Sequence, residues 1–177
     1  MRDWLVIEFR WQVHPGPRGR VHGFNDMTFR TVLVAVDGSA QATKTVEVAA
    51  DVAKRYGAKL VVLHVVPPIF EGKERDELAK LAHMEHMERT EYEMLQERGK
   101  VVVDAAELEA RKRGIERIVS LVEVGDPAHV IVNIGRMQKA DLLVLGRRGL
   151  GILKELLLGS VSHKVIQVSE TPCLIVS

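Results

Sequence analysis

The sequence predicts an α/β protein built on a five-stranded, doubly wound parallel sheet. Short β-branched runs alternate with longer stretches whose apolar residues recur every three or four positions. The run at residues 60–66 is apolar almost throughout, as in a strand buried on both faces of a parallel sheet. Because crossovers between parallel strands are right-handed, five strands joined by four helices place helices on both faces of the sheet.

Each element is predicted from its local pattern. The predicted strands are Thr31–Val36, Leu60–Val66, Ile118–Val124, Leu142–Leu145 and Cys173–Val176. The predicted helices are one after Ser39 that Gly57 ends, one over residues 74–113, one that Asp126 caps with Pro127 at its first position, and one that begins near Ser160.

Residues 1–26 differ from residues 27–177, which we interpret as a single domain preceded by an N-terminal extension. Apolar residues at 5, 7, 9, 11 and 13 alternate with a mainly polar set, which predicts a strand with one apolar face. A loop rich in Pro and Gly follows at residues 14–20. Three interpretations stay open: an extra edge strand or dimer arm, a lineage-specific arm without chemistry, and residues that result from a wrongly chosen upstream start codon.

Composition excludes several classes of function. Lys plus Arg number 25 and Asp plus Glu 24, so the net charge of +1 favours neither nucleic acid nor a membrane surface as a partner. No apolar stretch approaches the ~20 residues that a bilayer requires. Asp3 and Glu8 interrupt any signal peptide. The single cysteine, Cys173, excludes an internal disulfide framework and fits a reducing compartment, so we expect a cytoplasmic protein.

The fold class also predicts where a ligand binds. In doubly wound sheets, ligands lie outside the carboxyl ends of the strands, where the strand order reverses. The residues themselves leave the order open. If the order is 3-2-1-4-5, strands 1 and 4 flank the crevice, and Asp37 and Gly146 lie at their carboxyl ends. Asp37 is therefore a candidate ligand residue, with N-capping of the first helix as the alternative.

The loop from Gly146 to Ser162 has the composition of a phosphate cradle. Glycines let backbone N–H groups approach phosphate oxygens and adopt positive φ, and a helix N-terminus offers unpaired amides. The candidate residues are Gly146, Gly149 and Gly159, the hydroxyls of Ser160 and Ser162, and the charges of Arg147 and Arg148. The loop matches neither a Walker A motif nor a dinucleotide fingerprint. Turns in a surface loop with solvated arginines are the alternative.

Motifs along most of the chain carry a resemblance to a known family. The pattern Gly-x2-Gly-x9-Gly-Ser at 146–160 lies between Asp-Leu-Leu-Val-Leu and Val-Ser-His-Lys-Val-Ile. It is accompanied by Val-Leu-Val-Ala-Val-Asp-Gly-Ser at 32–39, Val-Leu-His-Val-Val at 62–66, Val-Glu-Val-Gly-Asp-Pro at 122–127 and Thr-Pro-Cys-Leu-Ile-Val at 171–176. Together these segments closely resemble the universal stress protein family, whose ATP-binding signature the glycine pattern matches. The resemblance covers about residues 28–177.

The resemblance implies a Rossmann-like domain with strand order 3-2-1-4-5 and ATP as its ligand. It implies that Asp37 approaches the ribose or adenine and that the backbone of Val65 reads the adenine edge. The residues it assigns to the ribose and phosphates are Gly146, Gly149, Gly159, Ser160, Val161 and Ser162. Mg²⁺ or Mn²⁺ would accompany the phosphates, bound mainly by them and by water. The family also implies a homodimer formed through the last strand, Cys173–Val176.

The residues predict no catalytic set and no metal site. Phosphoryl transfer needs a group that orients the nucleophile, and none is evident. His83 and His86 lack a third ligand, while His64 and Cys173 suit the core. We expect an ATP-binding regulatory or stress-response module with slow hydrolysis at most. The alternatives are an adenylyl-transfer or ATP-hydrolysing enzyme of the same superfamily, and a nucleotide-free interaction protein.

Overall fold

The computed structural model describes residues 28–67, 89–149 and 158–177. In chain order the elements are β1 (Thr31–Val36), α1 (Ala40–Tyr56), β2 (Lys59–Val66), α2 (Arg89–Lys112), β3 (Ile118–Val124), α3 (Pro127–Met137), β4 (Leu142–Gly146), α4 (Ser160–Val168) and β5 (Cys173–Val176). The predicted N-terminal strand, the first part of the long helix with His83 and His86, and residues 150–157 of the glycine loop lie outside the described residues.

The five strands form one parallel sheet in the order β3-β2-β1-β4-β5. This arrangement confirms the predicted doubly wound fold and the strand order that the family resemblance implied. β1 lies at the centre, where Val34 pairs with Val62 of β2 on one side and with Val144 of β4 on the other. All five predicted strands are present, and two of them are one residue longer than predicted.

The sheet separates two apolar cores. Side chains of alternate strand residues point to opposite faces, so Val34 packs under α1 and α2 whereas Leu33 packs under α3 and α4. Both residues are fully buried. This double burial explains why the central strands are apolar in succession instead of alternating with polar residues.

Two predicted helix boundaries are confirmed. Gly57 ends α1 in the left-handed conformation, with φ at 62°, and the N–H of Ala58 donates to the carbonyl of Ala53 at 2.8 Å. Asp126 caps α3, because its Oδ1 accepts the backbone N–H of His129 at 3.0 Å, and Pro127 is the first residue of that helix. The Asp126 cap places the amino end of α3 at the carboxyl edge of the sheet, whereas Gly57 ends α1 just before β2 begins.

Helix α2 approaches the sheet closely at a glycine. A Cβ atom on Gly99 would lie 2.5 Å from Cγ1 of Val122 and 2.9 Å from Cγ2 of Val66. No side chain fits there unless these valines or the helix itself shift. The glycine in the middle of a long helix therefore serves close packing, which outweighs its low helix propensity.

A side-chain pair joins the outer strand β3 to α2. The hydroxyl of Ser120 donates to Oε2 of Glu107 at 2.6 Å. This hydrogen bond, followed by one from Arg111, lowers the pKa of Glu107 below its ordinary value. Within the described ranges, no helix is both long enough and apolar enough to cross a bilayer.

Candidate functional site

A cavity of about 400 Å³ lies at the carboxyl ends of β1, β2 and β4, between α1 on one face and α3 and α4 on the other. It lies where the strand order reverses around β1, the position at which doubly wound sheets bind ligands. Its described wall includes nine of the ten predicted site residues: Asp37, Val65, Gly146, Arg148, Gly149, Gly159, Ser160, Val161 and Ser162. The tenth, Arg147, does not line the cavity.

Asp37 connects the end of β1 to the start of α1. Its Oδ1 accepts the backbone N–H of Ser39 at 3.0 Å, and Ser39, in extended conformation, is the N-cap residue of α1. The alternative prediction of Asp37 as the N-cap is therefore wrong, although its carboxylate does bind the backbone just before the helix. The carboxylate is thus held at the cavity wall.

Gly149 and Asp37 fit against each other across the cavity wall. A Cβ atom on Gly149 would lie 2.4 Å from Oδ2 of Asp37, well inside van der Waals contact. The absence of a side chain at residue 149 therefore lets the glycine loop close against the end of β1. From the sequence, this glycine is explained by the need for backbone N–H groups to approach phosphate. The structure adds a second reason, which is close packing against Asp37.

Ser162 anchors the start of α4 to the end of β4. Its side chain is only 6% exposed, and its hydroxyl donates to the carbonyl of Gly146 at 2.7 Å. The hydroxyl hydrogen is therefore already engaged within the protein. Ser160, at the first position of α4, is exposed and lines the cavity, so the two serines have different surroundings.

The base of the glycine loop is closed by backbone hydrogen bonds at Arg147. Its N–H donates to the carbonyl of Val176 at 2.6 Å, and its carbonyl accepts the N–H of Gly159 at 2.8 Å. Gly159 has φ at −68°, so the expectation of a positive φ there is wrong. A Cβ atom on Gly159 would lie 3.3 Å from the carbonyl oxygen of Arg147.

The rest of the wall has an apolar side and a small polar side. Leu63, Val65, Pro127 and Ile131 contribute to the apolar side, between β2 and α3. The polar side lies at the start of α1, where the N-cap Ser39 and Thr45 line the cavity beside the small apolar Ala42. The sequence analysis did not assign these α1 and α3 residues to the site. The signal available was their position in the first turns of helices that begin at the carboxyl edge of the sheet.

Two further titratable groups have structural partners. Nδ1 of His64 lies 2.7 Å from the carbonyl oxygen of Val36, so this nitrogen carries a hydrogen and donates it. His64 also lines the cavity, which its interpretation as a core residue did not include. Cys173 is buried, as predicted, and burial raises the pKa of its thiol. In the part of the chain that the structure describes, no group of three or more His, Cys, Asp or Glu is arranged to hold a metal.

Comparison with known sequences identifies relatives over most of the chain. Residues 28–177 match the Universal stress protein family. The universal stress protein YxiE of Bacillus subtilis is 35% identical over 153 residues, which are 84% of this chain and 99% of that protein. A universal stress protein of Thermus aquaticus is 37% identical over 145 residues, covering 82% of this chain and 95% of the relative.

Solved structures share the fold. The protein MJ0577 superposes with a TM-score of 0.67 at 26% identity, over 85% of this chain and 96% of the other. A universal stress protein in complex with cAMP superposes with a TM-score of 0.61 at 27% identity, over 85% of this chain and 98% of the other. The matched portion in both cases leaves about the length of the N-terminal extension uncovered.

Proposed function

Because the chain belongs to the universal stress protein family, we propose that it binds an adenine nucleotide, with ATP as the principal ligand, in the cavity at the carboxyl ends of β1, β2 and β4. It acts as a nucleotide-dependent regulatory module in a stress response. The observation that carries the proposal is the meeting of Asp37 and the glycine loop in one cavity at the strand-order reversal. A related structure in complex with cAMP supports the same ligand class.

The adenine ring belongs on the apolar side of the cavity. Leu63 and Val65 lie near the carboxyl end of β2, and Pro127 and Ile131 of α3 line the same side of the cavity. A cavity of about 400 Å³ falls within the ~300–1,000 Å³ range of small-molecule sites. We assign the adenine edge to the backbone of Val65 and the ribose to Asp37 and Gly146.

The phosphates belong at the start of α4. Gly149, Gly159, Ser160 and Val161 line this end, where the first amides of the helix and its positive dipole end favour anions. Arg148 lines the same wall and adds positive charge. Mg²⁺ or Mn²⁺ bound with ATP would neutralise phosphate charge and be held mainly by the phosphates and water, because Asp37 is the sole carboxylate of the described wall.

Turnover of ATP is proposed to be slow. The side chains of the described wall with the chemistry of a general base are Asp37 and His64. The Asp37 carboxylate accepts a backbone hydrogen bond, and His64 donates to Val36 with its ring beside Gly99. Neither is arranged as a free base that orients water toward a phosphate.

Two measurements test the proposal. Nucleotide released by denaturing the purified protein is identified by chromatography, and ATP, adenosine and cAMP are titrated by calorimetry. We expect ATP to be bound and ATP consumption to remain well below ~1 s⁻¹, the lower end of ordinary enzymes. Failure to bind any adenine nucleotide would contradict the site, and turnover in the ordinary enzyme range would favour the enzyme alternative.

We also propose a homodimer through β5 and a cytoplasmic location. β5 is an edge strand that pairs with β4 alone among the described strands, so its outer edge is available to a second copy. The single buried cysteine is compatible with a reducing compartment. Light scattering is expected to give twice 19.8 kDa, and a lasting mass of one chain would contradict the dimer.

A further inference from the structure

Helix α2 carries a line of exposed apolar side chains on its outer face. Met94, Val101 and Leu108 are 64%, 73% and 57% exposed and recur at seven-residue intervals, which places them along one line about 21 Å long. The opposite face already packs against the sheet through Leu95 and Val103. The outer line, here called the α2 stripe, is thus additional to the apolar face that the fold requires.

The described chain begins at the same corner of the molecule where α2 ends. The ring of Phe29 packs edge-on against Tyr56, the last residue of α1, with centroids 4.9 Å apart. Arg113, directly after α2, pairs with Glu47 of α1 at 2.7 Å. Since α2 leads into β3, its Leu108 end lies at the amino edge of the sheet, next to this corner.

The segment before residue 28 has the composition and length to cover the stripe. Its apolar residues at 5, 7, 9, 11 and 13 alternate over about 26 Å if extended, close to the length of the stripe. Residues 14–27 span up to about 46 Å, so reach is not limiting. The family match begins at residue 28, so this segment is outside the shared domain.

We propose that the apolar residues of the N-terminal extension, residues 1–26, dock on the α2 stripe of the same chain. Docking covers three large apolar side chains that α2 otherwise presents to water, and it accounts for an apolar alternation that the shared domain does not require. The extension is then a cover for α2 and not a part of the nucleotide site, which lies at the opposite edge of the sheet.

Both tryptophans of the chain, Trp4 and Trp11, lie in this segment, so tryptophan fluorescence reports on it alone. The test uses the full chain with Trp4→Phe, which leaves Trp11 as the probe. Val101→Asp and, separately, Leu108→Asp are expected to shift its emission to longer wavelength and to increase quenching by acrylamide about twofold or more, as for an indole that moves into water. Met137→Asp, at an equally exposed apolar residue on α3, is the control and is expected to change neither signal.

The outcomes separate the possible occupants of the stripe. Unchanged Trp11 emission in both stripe variants, or the same shift in the control, overturns the proposal. If a second copy of the chain covers the stripe instead, Trp11 emission depends on protein concentration, and the stripe variants lower the mass measured by light scattering. That result also overturns the proposal. Because the substituted residues are exposed, circular dichroism is expected to show an unchanged fold.

Discussion

Gly149 lies so close to Asp37 that a methyl group in its place would be 2.4 Å from Oδ2 of the carboxylate. Gly149→Ala must therefore displace either the glycine loop or the carboxylate, both of which line the cavity. We expect ATP affinity to fall at least about tenfold, equivalent to about 1.4 kcal/mol, with little change in the melting temperature. Calorimetric titration measures the first and a thermal melt the second.

The same pair provides its own control. If Gly149→Ala acts through Asp37, the double variant Asp37→Ala/Gly149→Ala binds ATP no more weakly than Asp37→Ala alone. Additive losses would show that the two residues act independently. In that case Gly149→Ala would weaken binding by obstructing the ligand directly and not by disturbing Asp37.

Gly159→Val is expected to abolish ATP binding while the fold remains. The Cβ atom would lie 3.3 Å from the carbonyl oxygen of Arg147, so the added methyl groups press against the base of the loop that forms the phosphate end. Adenosine, whose proposed contacts lie near Asp37 and Val65, is expected to lose less affinity than ATP. If a folded Gly159→Val protein binds ATP with wild-type affinity, the phosphates do not bind at this loop.

Ser160 and Ser162 are expected to respond oppositely to alanine. Ser162→Ala removes the hydroxyl that donates to the partly buried carbonyl of Gly146, which costs about 1–3 kcal/mol of unfolding free energy. Ser160→Ala, at an exposed residue, leaves stability within about 0.5 kcal/mol and weakens ATP binding by about 0.5–1.5 kcal/mol. Urea unfolding and ATP titration of both variants check this. Equal behaviour of the two variants would contradict the assignment.

Gly99→Ala is expected to destabilise the fold although alanine is the better helix former. The gain in helix propensity is about 1 kcal/mol, whereas forcing a methyl to 2.5 Å from Val122 costs about 1–3 kcal/mol. The urea midpoint should fall, while Lys100→Ala on the exposed face should leave it nearly unchanged. In Gly99→Ala/Val122→Ala the loss should be smaller than the sum of the single losses, and a plain sum would contradict direct contact.

Glu107 is expected to make the free energy of unfolding depend on pH in the acidic range. Its pKa is lowered in the folded state, first by the hydrogen bond from Ser120, so its contribution is present above its unfolded pKa and is lost as pH falls through the folded value. Ser120→Ala should destabilise the protein near neutral pH and progressively less so as the pH falls below 4.5, the ordinary pKa of a glutamate. Urea unfolding across this range checks it, with the exposed Glu116→Gln as control. A pH-independent difference would contradict the role of the hydrogen bond.

The elements that local patterns determine could be predicted from the sequence. The apolar strands, the αL end of α1 at Gly57 and the cap at Asp126 depend on residues close together in the chain. The position of the cavity could be predicted once the family resemblance supplied the strand order, because that order places β1 beside β4 at the reversal.

Relationships between distant segments could not be predicted in the same way. The fit of Gly149 on Asp37 and the bond from Ser162 to Gly146 depend on how the loop returns to the sheet, which no local pattern specifies. The place of Ser39 and Thr45 in the cavity wall could not be predicted for the same reason. We expected positive φ at Gly159 from its residue type. In the structure its φ is −68°, and the carbonyl oxygen of Arg147 is what limits the space for a side chain there.

Arg147 joins two parts of the molecule that carry separate proposals. Its N–H binds the end of β5, the proposed dimer strand, and its carbonyl binds Gly159, at the proposed phosphate end. If both proposals hold, a shift of this one peptide segment would change the end of β5 and the phosphate end of the cavity together. Thermodynamic linkage would then make the coupling reciprocal: the factor by which nucleotide strengthens the association of two subunits would equal the factor by which association strengthens nucleotide binding. Cellular ATP and protein concentration would become interchangeable inputs to the same equilibrium.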